Sequence, residues 1–91
     1  MNVQLRFFAA VRERLRRAEA DWDIPEGATV QDLWQSLTAQ YPQLQPLGSS
    51  ITFAVNREYV ARDHQLAAND EVAIIPPVSG GVDVPDRNRA D

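Results

Sequence analysis

One stretch of this chain carries apolar residues at sustained helical spacing: Val30, Leu33, Trp34 and Leu37, after Thr29 and before Tyr41-Pro42. Thr29 is a plausible N-cap with Asp32 three residues on, a weak form of the capping box. The spacing therefore predicts the main helix here, ending near Tyr41. Its apolar stripe must be covered, and the remaining chain offers mainly short runs of period two, so the stripe must lie on a sheet.

Those runs come in order along the chain. Val3-Gln4-Leu5-Arg6-Phe7-Phe8 alternates until its last residue, which points Val3, Leu5 and Phe7 inward and leaves Phe8 on the opposite face. Ala9 to Arg17 is rich in helix formers, with Val11 and Leu15 spaced four apart, and reads as a short amphipathic helix. Ala18 to Ile24 places acidic residues at every odd position and apolar ones at every even position, a second strand with Trp22 and Ile24 facing the core. Pro25-Glu26-Gly27 turns the chain into the main helix. Pro42 to Ser50 reads as a connection, and Ile51, Phe53 and Val55 then alternate as a third strand. Asn56-Arg57-Glu58 turns into a short strand at Tyr59-Val60. Ala61 to Asn69 reads as a loop, and Glu71 to Ile75 is a last strand with Val72 and Ile74 inward and Ile75 on the same kind of face as Phe8. The order predicts an α+β roll, a mixed sheet with one main helix packed on one face. Pro76-Pro77 stops the last strand, since neither can donate to a ladder. The expected organisation is a domain at 1–77 and a mobile tail at 78–91, with Gly-Gly at 80–81 and an extension at 82–91.

Composition excludes several classes of function. With no cysteine there is no disulfide, no thiolate nucleophile and no cysteine metal site. Acidic residues outnumber basic ones by 13 to 9, which argues against a backbone-driven nucleic-acid binder. No apolar run approaches the roughly 20 residues that span a bilayer, so the cytoplasm is the expected address. Ninety-one residues hold one modest core but not a deep catalytic cleft as well, so chemistry would be shared with a protein or small-molecule partner. All nine basic residues are arginine. The chain could donate its end to an isopeptide bond but could not accept another copy on a side-chain amine, although a genomic bias towards arginine explains the same fact.

Three segments carry a resemblance. Leu5-Arg6-Phe7-Phe8-Ala9-Ala10-Val11-Arg12-Glu13, Ala54-Val55-Asn56-Arg57-Glu58-Tyr59-Val60, and Asp70-Glu71-Val72-Ala73-Ile74-Ile75-Pro76-Pro77-Val78-Ser79-Gly80-Gly81 are similar to the small subunit of molybdopterin synthase. That family consists of sulfur carriers with the ubiquitin-like β-grasp fold, and the resemblance spans residues 1–81. It implies a subunit that does no catalysis of its own and binds no cofactor or metal. An adenylating enzyme of the ubiquitin-activating type, using ATP and magnesium, would activate the Gly81 carboxylate. A persulfide sulfur donor would then replace AMP with sulfur. The resulting thiocarboxylate would enter the large synthase subunit, within a heterotetramer, and give its sulfur to a pyranopterin precursor of the molybdenum cofactor. A carrier for thiamin or a sulfur-containing amino acid uses the same Gly-Gly chemistry, and a ubiquitin-like modifier of target lysines is a further reading.

The residues supply reasons for such a design. A carboxylate resists sulfur nucleophiles until it is given a leaving group. Gly80 and Gly81 let backbone thread a narrow channel, having no Cβ to collide. The six residues Pro76 to Gly81 reach at most roughly 20 Å when extended. In the β-grasp fold the first and last strands are parallel central neighbours, so Phe8 and Ile75 come together, and Tyr59 matches another family contact position. Phe8, Tyr59, Ile75 and Pro76 are expected to form an exposed apolar patch at the base of the tail, with Pro77, Val78 and Ser79 leading from it into the partner. The chain departs from the family at its end, where residues 82–91 follow the second glycine. Cleavage after Gly81, fusion with the large subunit, or loss of activity would each account for them, and cleavage is the expectation. His64 beside Asp63 is expected to serve only loop hydrogen bonding. Glu19, Asp21 and Asp23 form a carboxylate row expected to be a solvated face. Arg12, Arg14, Arg16 and Arg17 could equally meet an acidic partner or solvent.

Overall fold

A computed structural model describes residues 1–77 of the chain. The elements run β1 (Asn2–Phe7), α1 (Ala9–Leu15), β2 (Glu19–Asp23), α2 (Val30–Gln40), a 3-10 segment (Pro42–Ser50), β3 (Thr52–Val55), β4 (Glu58–Val60) and β5 (Glu71–Ile75). The five strands form one sheet in the order β2-β1-β5-β3-β4. β1 and β5 are parallel, with Leu5 opposite Val72 and Phe7 opposite Ile74. The other pairings are antiparallel, so the sheet is mixed as the sequence predicts.

The period-two pattern sorts the side chains between two faces. Val3, Leu5 and Phe7 of β1, Val72 and Ile74 of β5, and Phe53 and Val55 of β3 are buried in a single cluster with the α2 stripe Val30, Leu33, Trp34 and Leu37. Trp34 meets the Phe53 ring edge-on at 5.9 Å between centroids, which fixes the helix over the middle of the sheet. Ile24 is buried, whereas Trp22 is only half-buried because β2 is an edge strand. The Trp22 indole N–H donates to Ser36 Oγ at 3.1 Å, which satisfies the polar end of that ring.

The N-terminus of α2 is closed completely. The capping box is fully formed, with the Asp32 N–H donating to Thr29 Oγ1 at 3.2 Å and the Thr29 N–H donating to Asp32 Oδ2 at 2.9 Å. The N–H groups of Val30 and Gln31 donate to the carbonyls of His64 and Arg62 at 2.9 and 2.8 Å. His64 thus serves through its main chain, from an exposed loop position. Its carbonyl and that of Arg62 take up two of the orphan donors that every helix start exposes.

Two segments read as plain connections carry core residues. Pro42–Ser50 winds as a 3-10 helix around the fully buried Leu44, with Leu47 packed against the cluster. The loop after β4 buries Leu66. Arg62, in the same loop, donates to Gln31 Oε1 at 2.9 Å and to the Gly48 carbonyl, and lies 5.1 Å over the Phe53 ring. It ties α2, the 3-10 segment and the sheet together. Asn56 and Arg57 both have positive φ, 51° and 72°, the backbone of a two-residue type I′ hairpin turn between β3 and β4.

Candidate functional site

Both helices give their buried side chains to the inner cluster, so the other face of the sheet has no helix on it among the described residues. The strand register sets what that face presents. Arg6 of β1 stands beside Ala73 of β5, Ala73 beside Ala54 of β3, and Ala54 beside Tyr59 of β4. Phe8 follows β1 on the same parity, in extended backbone at φ −129°, ψ 152°. The chain then turns sharply into α1 through Ala9, whose φ of 48° is left-handed and unusual for a residue with a Cβ. That turn carries the helix to the inner side and leaves the Phe8 ring outside.

Phe8 is 40% exposed and Tyr59 76% exposed, and they are the large hydrophobic residues that the described domain leaves uncovered. Ile75, one step beyond the Phe7–Ile74 pair on β5 and opposite Thr52, lies on this face and is half-buried. Pro76 does not join it. It is buried, because it falls two positions after Ile74 on the inward parity, and the expected patch is corrected to Phe8, Tyr59 and Ile75. Pro77 is exposed and leads out of the domain. Val78, Ser79, Gly80 and Gly81, the remaining candidate residues, lie outside the described residues, as does the expected tail at 78–91.

Between Phe8 and the β3–β4 turn is a shallow depression of about 210 Å³, lined by Arg6, Phe8, Ala54, Arg57, Glu71 and Ala73. Its floor is low because the two central positions are alanines. Glu71 Oε2 accepts from Arg6 Nη1 at 3.0 Å, and its other oxygen lies 3.9 Å from Arg57 Nε. These polar lining residues were not singled out by the sequence, although the parity that places Phe8 outside also places Arg6, Glu71 and Ala73 there.

Glu19, Asp21 and Asp23 are all exposed at the opposite edge of the sheet. Among the described residues no group of three or more His, Cys, Asp and Glu is placed to hold a metal ion, and a strand separates its same-face carboxylates by roughly 7 Å. Arg12, Arg14, Arg16 and Arg17 are exposed along and after α1, and Arg14 donates to the Gln43 carbonyl at 3.2 Å. No described helix is long and apolar enough to cross a membrane.

A five-stranded mixed sheet with a parallel central pair, one face under the main helix and the other bare, is the ubiquitin-like β-grasp roll. Residues 5–81 match the model of the ThiS family, and the chain belongs to that family. It is 37% identical to the molybdopterin synthase sulfur carrier subunit of Chlamydomonas reinhardtii, over 89% of this chain and 100% of the relative. It is 39% identical to the protein of the same name from Escherichia coli K12, over 87% of this chain and 99% of that one. Among solved structures, SAMP1 from Haloferax volcanii superimposes with a TM-score of 0.80 at 29% identity, covering 89% of this chain and 100% of SAMP1. A complex of subunits 1 and 2 of the molybdopterin-converting factor from Helicobacter pylori contains a chain that matches with a TM-score of 0.65 at 20% identity, covering 89% of this chain and all of that one, a likeness of fold.

Proposed function

We propose that this chain is the sulfur carrier subunit of a molybdopterin synthase, working in the cytoplasm as a non-catalytic donor whose reactive group is the Gly81 carboxyl. The observation that carries this reading is where β5 leaves the sheet. The strand ends at Ile75 beside β1, and exposed Phe8 stands at the end of β1. The chain from Pro77 onward therefore departs from the rim of an uncovered apolar surface. A partner that docks on Phe8, Tyr59 and Ile75 receives the arm in its own active site. The named relatives, which share more than a third of their residues with this chain over nearly their whole length, support the same reading.

The chemistry follows from the group. An adenylating enzyme joins the Gly81 carboxylate to AMP, releasing pyrophosphate. A persulfide then attacks the acyl carbon, so that a C–S bond forms and AMP leaves. A donor thiol cuts the S–S bond, becoming oxidised, and leaves a thiocarboxylate on Gly81. In the large subunit the thiocarboxylate sulfur displaces an oxygen substituent of the pterin precursor to give a thioester, and water then hydrolyses that thioester, leaving the sulfur on the pterin and returning the Gly81 carboxylate. Gly81 can be adenylated only with a free carboxyl, so this reading requires that residues 82–91 be removed before the first step. Likeness to SAMP1, with 34% identity to small archaeal modifier protein 3 of Haloferax volcanii, favours a second reading as a protein modifier. Gly81 in isopeptide linkage to other proteins would support it.

The test is reconstitution of dithiolene synthesis from the chain, its activating enzyme, a sulfur donor and the large subunit. Replacement of Gly81 by valine or Gly80 by tryptophan is expected to abolish turnover while the domain stays folded. Unimpaired turnover with either bulky residue would contradict the proposal.

A further inference from the structure

We infer that the depression between Phe8 and the β3–β4 turn receives an aspartate or glutamate side chain of the partner protein, with Arg57 as its cation. The inference rests on the proposed docking of this face and adds the chemistry of what docks.

The charges around the depression do not balance. Arg6 donates one hydrogen bond of 3.0 Å to Glu71. Arg57 lies 3.9 Å from the other Glu71 oxygen, an ion pair without a hydrogen bond, and its side chain is 90% exposed. Two guanidinium groups therefore share one carboxylate, and the Arg57 donors are free to take a second among the described residues. The residues lining the depression therefore carry one positive charge in excess, on a chain of formal net charge −4. The buried Ala54 and half-buried Ala73 make a floor low enough for a side chain to descend between Phe8 and Arg57.

The rest of the face narrows the kind of occupant. Glu19, Asp21 and Asp23 line the β2 edge, whereas Arg57 sits at the opposite end of the sheet, on the β3–β4 turn. A polyanion such as a nucleic acid would be repelled along half its footprint. A single carboxylate over Arg57 is not repelled. Exposed Phe8 and Tyr59 on either side call for apolar neighbours. The occupant that fits is an acidic side chain rising from an apolar patch of a protein surface, and the charge gradient across the sheet would set the direction in which that surface lies.

Association with the large subunit from the same cell tests this, using the carrier as isolated from those cells. Arg57→Gly removes the charge at a position whose φ of 72° suits glycine, so the turn is retained. Arg57→Glu reverses it. At low salt the association rate is expected to fall about threefold for Arg57→Gly and about tenfold for Arg57→Glu, as for a steering charge at an interface rim. High salt should close both gaps by screening. If the unchanged carrier binds and both variants associate at its rate at low salt, the inference fails and the docking reading stands. Failure of the unchanged carrier to bind at all would overturn both.

Discussion

Phe8 owes its exposure to the backbone on either side of it. The extended conformation at Phe8 continues the parity of β1, and the left-handed turn at Ala9 then takes α1 away to the inner face. A ring left 40% exposed is only partly used by the domain and offers its remaining apolar area to a partner. Phe8→Ser should therefore cost no more than about 1–2 kcal/mol of unfolding free energy in urea, against about 3–5 kcal/mol for truncation of a core Phe. The same change should weaken binding of the large subunit by about 1–2 kcal/mol, as loss of an aromatic anchor does. A large loss of stability would mean that Phe8 belongs to the core. The residue scale is also where the sequence misled. Proline reads as a strand breaker and so suggests the surface, whereas Pro76 continues the inward series of Val72 and Ile74 and is buried.

Among the elements, those with a clear period were legible. The α2 stripe, the inward residues of β1 and β5, and the alternation in β2 follow directly from spacings of 3.6 and 2, and all are buried or half-buried as their periods require. What escaped was apolar residues without a period. Leu44 stands in a Pro- and Gly-containing segment and Leu66 in a polar loop, each with too few apolar neighbours to reveal a face. Their burial is set by tertiary contacts that no local window contains. Arg62 escaped for the same reason, since Gln31, Gly48 and Phe53 come from three separate elements. Leu44→Ala consequently tests whether the 3-10 segment belongs to the core. Urea unfolding should show a loss of about 2–5 kcal/mol, a large part of the 5–15 kcal/mol typical of a domain. A loss below about 0.5 kcal/mol is what a surface connection would give.

For the whole molecule, the proposed function depends on separating the folded body from a reactive end. One face of the sheet is committed to the core, which frees the other for docking, and the parallel central pair brings the exit of β5 beside the end of β1. On the proposed reading a partner grips the body while the five residues from Pro77 to Gly81, reaching at most roughly 17 Å, enter its buried site. The family was readable from the segments that carry the resemblance, which include Phe8, Tyr59, Ile75 and the two glycines on which the proposal rests. The bare face itself was readable only through parity. The Arg6–Glu71–Arg57 arrangement was not readable, since it joins positions on β1, β5 and the β3–β4 turn that only the fold brings together.

The central claim is that a main-chain carboxyl at Gly81 carries the sulfur, and intact-mass measurement of the protein from its own cells addresses it most directly. The account predicts a species ending at Gly81, with a fraction heavier by the difference between one sulfur and one oxygen atom, and that fraction should vanish when the persulfide donor is removed. Full-length chains alone, in cells that are making the cofactor, would contradict it.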